Sequence, residues 1–217
     1  MSGLQLVVGN KNYSSWSLRP WLAMKVAGIE FTEVRIPLYG PDSKQRILAF
    51  SAAGKVPCLV DGKLSIWDSL AICEYLAEKH AALWPRDPAA RAVARSVSAE
   101  MHSSFQNLRT HMSMNIRRQH PGKGRTPEVL AEIARITALW ADCRARFAQD
   151  GPFLFGRFSI ADAMYAPVVL RFRTYEVELP LEGRAFSDAI LGLPAMREWM
   201  TAAAAETETL LQFEPYG

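Results

Sequence analysis

No apolar run in this chain approaches the roughly 20 residues needed to cross a bilayer. The opening, Met1-Ser2-Gly3-Leu4-Gln5-Leu6, carries no charged leader followed by an apolar stretch, so no signal peptide is expected. Together these absences predict a cytoplasmic protein with no membrane partner. Cysteine is scarce: Cys58, Cys73 and Cys143 are odd in number and widely spaced. That excludes a disulfide framework and offers no zinc-ligand spacing. Each lies in an apolar context and reads as a small buried hydrophobe. His102 and His111 have no spacing suited to a metal, so no metal site is expected. Charge of one sign is also lacking. Lys and Arg number 25 against 22 Asp and Glu, for a net +3. No dense basic stripe with interleaved aromatics appears, which argues against nucleic acid. The Gly-rich basic loop from Pro121 to Pro127 lacks phosphate-loop spacing, follows no strand, and reads as an interhelical connection.

What is present is ordinary globular material: 217 residues, 49% hydrophobic and 22% charged. That length holds one large domain or two small ones. The first 80 residues alternate between strand-like and helix-like patterns. Leu4 to Val8 is a short apolar run. Leu18 to Ala27 has helical spacing at Leu22 and Val26. Phe31 to Leu38 alternates, with Val34, Ile36 and Leu38 on one face. Asp42 to Phe50 makes a short helix. Val56 to Val60 and Leu64 to Trp67 are strands joined by Asp61-Gly62, a strong hairpin signal. Asp68 to Lys79 is helical, with Ile72, Tyr75 and Leu76 on one face. The order β-α-β-α-β-β-α predicts an α/β layer with a crossover and an antiparallel hairpin at its edge.

The pattern then changes. Leu83-Trp84-Pro85-Arg86-Asp87-Pro88 has two prolines and reads as a linker. Beyond it only helical periods remain. Val97, Met101, Phe105, Leu108 and Met112 form one stripe. Val129, Ile133, Ile136, Trp140, Cys143 and Phe147 form another. Ser159-Ile160-Ala161-Asp162 resembles a capping box and opens a third helix, in which Pro167 implies a kink or early end. A fourth helical stretch runs from Leu193 to about Ala205. The expected domains are therefore 1–82, α/β; 83–88, linker; and 89–217, all-α.

Three motifs tie this plan to a known family. Ser14-Ser15-Trp16-Ser17-Leu18-Arg19, between the first strand and first helix, looks like the Ser-Ser-Cys-Ser-x-Arg signature of zeta-class glutathione transferases, with Trp16 in place of Cys. Val56-Pro57, followed by Trp67-Asp68-Ser69-Leu70-Ala71-Ile72, resembles the family's Val-Pro-x-Leu … Glu/Gln-Ser-x-Ala-Ile element, with Asp in place of Glu or Gln. The Ser159–Asp162 cap matches a structural motif of the same proteins. The resemblance is to cytosolic glutathione transferases. It implies a thioredoxin-like amino-terminal domain, an all-helical carboxy-terminal domain, a homodimer, and glutathione as co-substrate for a small hydrophobic or electrophilic molecule.

Glutathione needs a grip on its γ-glutamyl end, alignment of its cysteinyl backbone, and a stabilised thiolate. A free thiol has a pKa of about 8.5, so little is ionised at neutral pH. A hydroxyl where a helix begins can donate to the sulfur, beside orphan N–H groups and the positive end of the dipole. Ser14, Ser15 and Ser17 compete for that role, and the zeta pattern picks Ser14. Arg19, one turn on, adds positive potential. In the resembling family the Val56–Pro57 peptide is cis and frees backbone to pair with the cysteinyl unit. Ser69 and the N–H groups at its helix start suit the γ-glutamyl carboxylate, and Asp68 its ammonium group. Lys44 and Lys55 are candidates for the glycyl carboxylate. Tyr13, Trp16, Met101, Phe105, Arg109 and Met112 are candidates to line the second substrate's pocket. Serine in place of cysteine, and no Cys-x-x-Cys, argue against a disulfide exchanger. The alternatives are an isomerase of the maleylacetoacetate type, which needs a basic pocket including Arg109 or Arg173, and a non-catalytic binding or regulatory relative.

Overall fold

A computed structural model describes residues 3–217. Met1 and Ser2, where the leader reading and the first expected domain begin, lie outside the described residues. Four strands, β1 (Leu4–Val8), β2 (Phe31–Arg35), β3 (Cys58–Asp61) and β4 (Leu64–Trp67), form one sheet in the order β2-β1-β3-β4. β1 runs parallel to β2, with Leu6 opposite Glu33. A parallel pair needs a crossover, and α1 (Ser15–Val26) supplies it. β3 is antiparallel to both β1 and β4. The hairpin turns with Asp61 paired to Leu64, and Gly62 takes the positive φ of 62° that the first position of such a turn favours.

α2 (Ser43–Leu48) and α3 (Ser69–Lys79) complete the expected β-α-β-α-β-β-α order. After a 3₁₀ turn at Ala81–Leu83 come α4 (Pro88–Ser103), α5 (Gln106–His111), α6 (Pro127–Phe147), α7 (Ile160–Thr174), α8 (Leu181–Gly192) and α9 (Pro194–Ala204). Successive residues of β1 face opposite sides of the sheet. Leu6 and Val8 join the main core with α1, while Val7 joins Ile36, Ile47 and Cys58 in a smaller core on the other face. The main core continues through Leu18, Trp21, Leu22 and Met24 into the helical half, where it includes Trp140, Phe186 and Trp199. All three cysteines are free and buried.

Several helical boundaries differ from those the pattern predicts. α1 starts at Ser15 instead of Leu18 and carries Pro20 inside it. Burial of Leu18, Trp21, Leu22 and Met24 offsets the one ladder bond that proline removes. The stripe from Val97 to Met112 is not one helix. Ser104 is extended and Phe105 left-handed at φ 63°, so the chain breaks between α4 and α5. Pro167 neither ends nor shortens α7, which runs on to Thr174. Every residue of α7 except Arg173 is buried, so tertiary packing outweighs the lost bond. α8 has no counterpart among the predicted helices.

The cap of α7 holds this buried helix in place. Asp162 accepts from Leu154 N at 2.9 Å with one oxygen, and from Ser159 N at 2.7 Å and Ser159 Oγ at 2.9 Å with the other. Burial pushes its carboxyl up to about 6. Asp162→Ala would strand the buried N–H groups of Leu154 and Ser159. At about 1–3 kcal/mol for each orphaned donor, the expected loss is about 3 kcal/mol of unfolding free energy. A urea titration with unchanged slope would read it.

Candidate active site

The site begins where β1 ends. After Gly9, a tight loop turns on the Asn10 carbonyl, which accepts from Tyr13 N at 3.1 Å and Ser14 N at 2.8 Å. Ser14 is the N-cap of α1 and makes no side-chain cap bond, so the first N–H groups of α1 keep their positive end open. Ser14 Oγ donates to Ser17 Oγ at 2.7 Å, and Gly9 N donates to the same Ser17 oxygen at 3.2 Å. Ser17 is fully buried and acts as an anchor. Ser15 Oγ accepts from Arg171 Nη2 at 3.3 Å.

Trp16 lies between two guanidinium groups, with Arg19 at 4.3 Å and Arg109 at 4.9 Å from the ring centroid. His102 meets the same indole edge-on at 5.3 Å. Behind the indole, Arg19 is buried and its Nη1 donates to Ser69 Oγ at 3.3 Å. Burial, then Arg109 and Arg171, pulls the Arg19 guanidinium down to about 9. Burial and Arg109 likewise lower Arg171 to about 10. Both stay cationic at neutral pH. Arg171 Nη1 donates to Met112 O, and Arg109 Nη2 donates to Met101 O and to His102 O.

A cavity of about 640 Å³ opens beside this helix start. The predicted residues Tyr13, Ser14, Ser15, Trp16, Lys44, Lys55, Val56 and Arg109 line it. So do Leu38, Tyr39, Ser113, Arg171 and Phe213, which the pattern did not single out. Among the described residues its wall carries four cations, Lys44, Lys55, Arg109 and Arg171, and no carboxylate. A second cavity, of about 480 Å³ between Trp84 and Arg157, contains none of the predicted residues.

Met101, Phe105 and Met112 do not line this cavity. They are 2%, 5% and 0% exposed and belong to the main core. The chain break at Ser104–Phe105 ends the single helical face that the spacing predicts for these residues, and of the candidates from this segment only Arg109 reaches the wall. Arg19, Pro57, Asp68 and Ser69 also lie off the wall. Arg19 and Ser69 sit behind Trp16, joined to each other. Asp68 caps α3 by accepting from Leu70 N at 2.9 Å and Ala71 N at 3.2 Å. Its other oxygen is 3.2 Å from His102 Nε2. The Val56–Pro57 peptide is cis. Lys44 Nζ donates to Gly54 O at 3.1 Å, whereas Lys55 is exposed. Arg173, expected in a basic pocket, instead faces Met200 on the exposed side of α7.

Arg171 had a detectable signal. It stands three residues after Val168 on the apolar face of α7, where a cation is out of place. Phe213 had none, because the carboxy-terminal tail has no period to read.

Fold and site together define a two-domain protein with an anion-seeking pocket at a helix start. The model of the glutathione S-transferase N-terminal domain matches residues 13–79, and that of the C-terminal domain matches residues 124–202. The chain belongs to the glutathione S-transferase family. It is similar to the maleylacetoacetate isomerase of Rattus norvegicus, 29% identical over 76% of each chain. It is 40% identical to a probable maleylacetoacetate isomerase of Caenorhabditis elegans over 97 residues, 43% of this chain and 44% of that one. Its fold matches a theta-class glutathione S-transferase from Xanthomonas axonopodis, solved with glutathione bound, at a TM-score of 0.65 and 26% identity. That match covers 94% of this chain and 100% of the other.

Core and wall should separate in experiment. Met101→Ala is expected to cost about 2–5 kcal/mol of stability by opening a cavity. Trp16→Ala, half-buried at the rim, should lose its two cation–π contacts and the edge contact with His102, about 1–2 kcal/mol. Denaturant midpoints of the two variants would check the order.

Proposed function

We propose that this chain binds glutathione as its thiolate and adds the sulfur to an electrophilic small molecule. The observation that carries the reading is the cavity wall. Four cations and the hydroxyls of Ser14, Ser15, Ser43 and Ser113 line the cavity beside the positive end of α1, with no wall carboxylate to neutralise the cations. That environment favours anions, and glutathione supplies a thiolate beside its two carboxylates. Ser14 turns its O–H from Ser17 to the sulfur, while Ser17 keeps the Gly9 N–H. Arg19 contributes field through Trp16 without touching the ligand. Val56 aligns the cysteinyl backbone, Lys44 and Lys55 attract the glycyl carboxylate, and Asp68 and Ser69 take the γ-glutamyl end once the Trp16 side chain, which covers Arg19 and Ser69, turns aside.

The chemistry balances simply. The thiol proton leaves to solvent, the sulfur lone pair forms a C–S bond, and the leaving group departs with its bonding pair. Acceleration comes from thiolate fraction and from proximity. Residues 1–82 hold glutathione and residues 89–217 supply the second substrate's side, with Tyr13, Tyr39, Ser113 and Phe213 facing it. A homodimer in the cytoplasm is the expected setting.

A second reading is isomerisation of an unsaturated diacid. The pairing of Arg109 with Arg171 at the wall favours it, as does the name of the rat relative. There the sulfur adds to the double bond, rotation follows, and elimination returns glutathione unchanged.

Calorimetry of glutathione binding tests the common part. Wild type should bind, and Ser69→Ala should weaken binding about tenfold through loss of a hydrogen bond to a charged group. A thiolate absorbance titration should place the bound thiol below its free value of about 8.5, and Ser14→Ala should raise it by about one unit. Activity then rises with pH through the bound thiol's pKa, and Ser14→Ala moves that rise to higher pH. Absence of binding by wild type would sink both readings in favour of a non-catalytic relative.

A further inference from the structure

The loop that presents Ser14 and Ser15 has few bonds of its own. Its turn is closed by the Asn10 carbonyl and by Ser15 N donating to Tyr13 O at 2.9 Å, and the N–H groups of Lys11 and Asn12 point away from it. Both are taken by one carboxylate from the other end of the chain. Glu206 Oε1 accepts from Lys11 N at 2.7 Å, and its Oε2 accepts from Asn12 N at 3.0 Å. Successive backbone N–H groups of this kind form a cradle for an anion. The Glu206 side chain is only 6% exposed, and its Oε1 also accepts from Arg35 Nε at 2.8 Å.

The attachment closes on itself. Asn12 Oδ1 accepts from Ile116 N at 2.8 Å and Arg117 N at 2.9 Å. The Arg117 guanidinium then donates back to Glu206 O, to Glu208 O and to Tyr13 Oη. Three further charged groups surround Glu206. Lys11 turns its own Nζ away to Glu33 at 2.8 Å, and Glu208 pairs with Arg35 at 2.7 Å. Further along the tail, Tyr13 Oη donates to Glu214 at 2.5 Å and the Tyr13 ring stacks on Phe213.

We propose that Glu206 is a positioning residue for the site: from the carboxy-terminal segment, its carboxylate fixes the loop that aims Ser14 at the glutathione sulfur. The proposal rests on the thiolate reading above. Glu206 touches no substrate and acts through the backbone of Lys11 and Asn12. A carboxylate can accept from both N–H groups at once. The isosteric amide of Gln cannot, because one of its two ends is a donor. Loss of either bond lets the loop shift, and a misplaced hydroxyl no longer meets the sulfur in line.

The test compares wild type, Glu206→Gln and, as a destabilised control, Met101→Ala. Hydrogen exchange of the free protein should quicken at residues 10–14 in Glu206→Gln and stay unchanged there in the control. In a thiolate titration, Glu206→Gln should raise the bound thiol's pKa toward the Ser14→Ala value, while glutathione affinity changes less than about threefold. If Glu206→Gln only lowers the melting temperature, with the thiol's pKa as in wild type, Glu206 is a structural clasp and the proposal is overturned. If wild type binds no glutathione, the thiolate reading itself fails, a result distinct from the one that overturns the positioning role alone.

Discussion

Three guanidinium groups, Arg19, Arg109 and Arg171, are gathered around one indole ring and one helix start, two of them buried. All three lose hydration, which lowers their affinity for the proton; Arg109 lowers that of Arg19 and Arg171 further, and Arg171 that of Arg19. Burying an unpaired cation costs several kcal/mol. Here the compensation is made of carbonyl oxygens, the Ser69 and Ser15 hydroxyls and the Trp16 π face, in place of full ion pairs. Such partners hold the charges without cancelling them. The positive field that remains is what a thiolate would meet.

Holding that charge dry requires the two halves of the chain to pack as one core. Arg19 lies on α1 and Arg171 on α7, and these helices pack against each other. α7 is in turn held by its Asp162 cap and by Tyr165, whose hydroxyl donates to Val97 O at 3.1 Å. The chain ends close the structure differently. Lys11 places its ammonium between the Trp21 and Trp199 rings at 5.0 and 5.2 Å, and Trp199 Nε1 donates to Lys11 O at 3.0 Å. The loop carrying Ser14 is thus gripped on one side by α9 and the tail, and on the other by the segment after α5.

Much of this was legible because it is local. Alternating apolar residues mark the strands, Asp61-Gly62 marks the hairpin, and Ser159–Asp162 marks the cap of α7; each depends on neighbours within a few residues. Ser14, Ser15 and Val56 could be named because the short motifs that carry the family resemblance include them, not because periodicity marks them. The misreadings have the opposite origin. Met101, Phe105 and Met112 share a helical period whether they face a cavity or a core, and period alone does not say which. Nor does it show that Phe105 adopts a left-handed backbone and ends the stripe. Pro167 breaks an isolated helix, yet in α7 burial on all sides keeps the helix whole.

The amino-acid sequence by itself determined the order of elements in the first half and the division into an α/β half and a helical half. Both follow from short-range periodicity and turn chemistry. Only the tertiary structure decided which cations meet at that helix start, which apolar stripe is core, and that Glu206 reaches Lys11 and Asn12 across nearly the whole chain. Those outcomes depend on how separate helices pack. That packing is set by shape and burial summed over the molecule, and no window along the chain contains it.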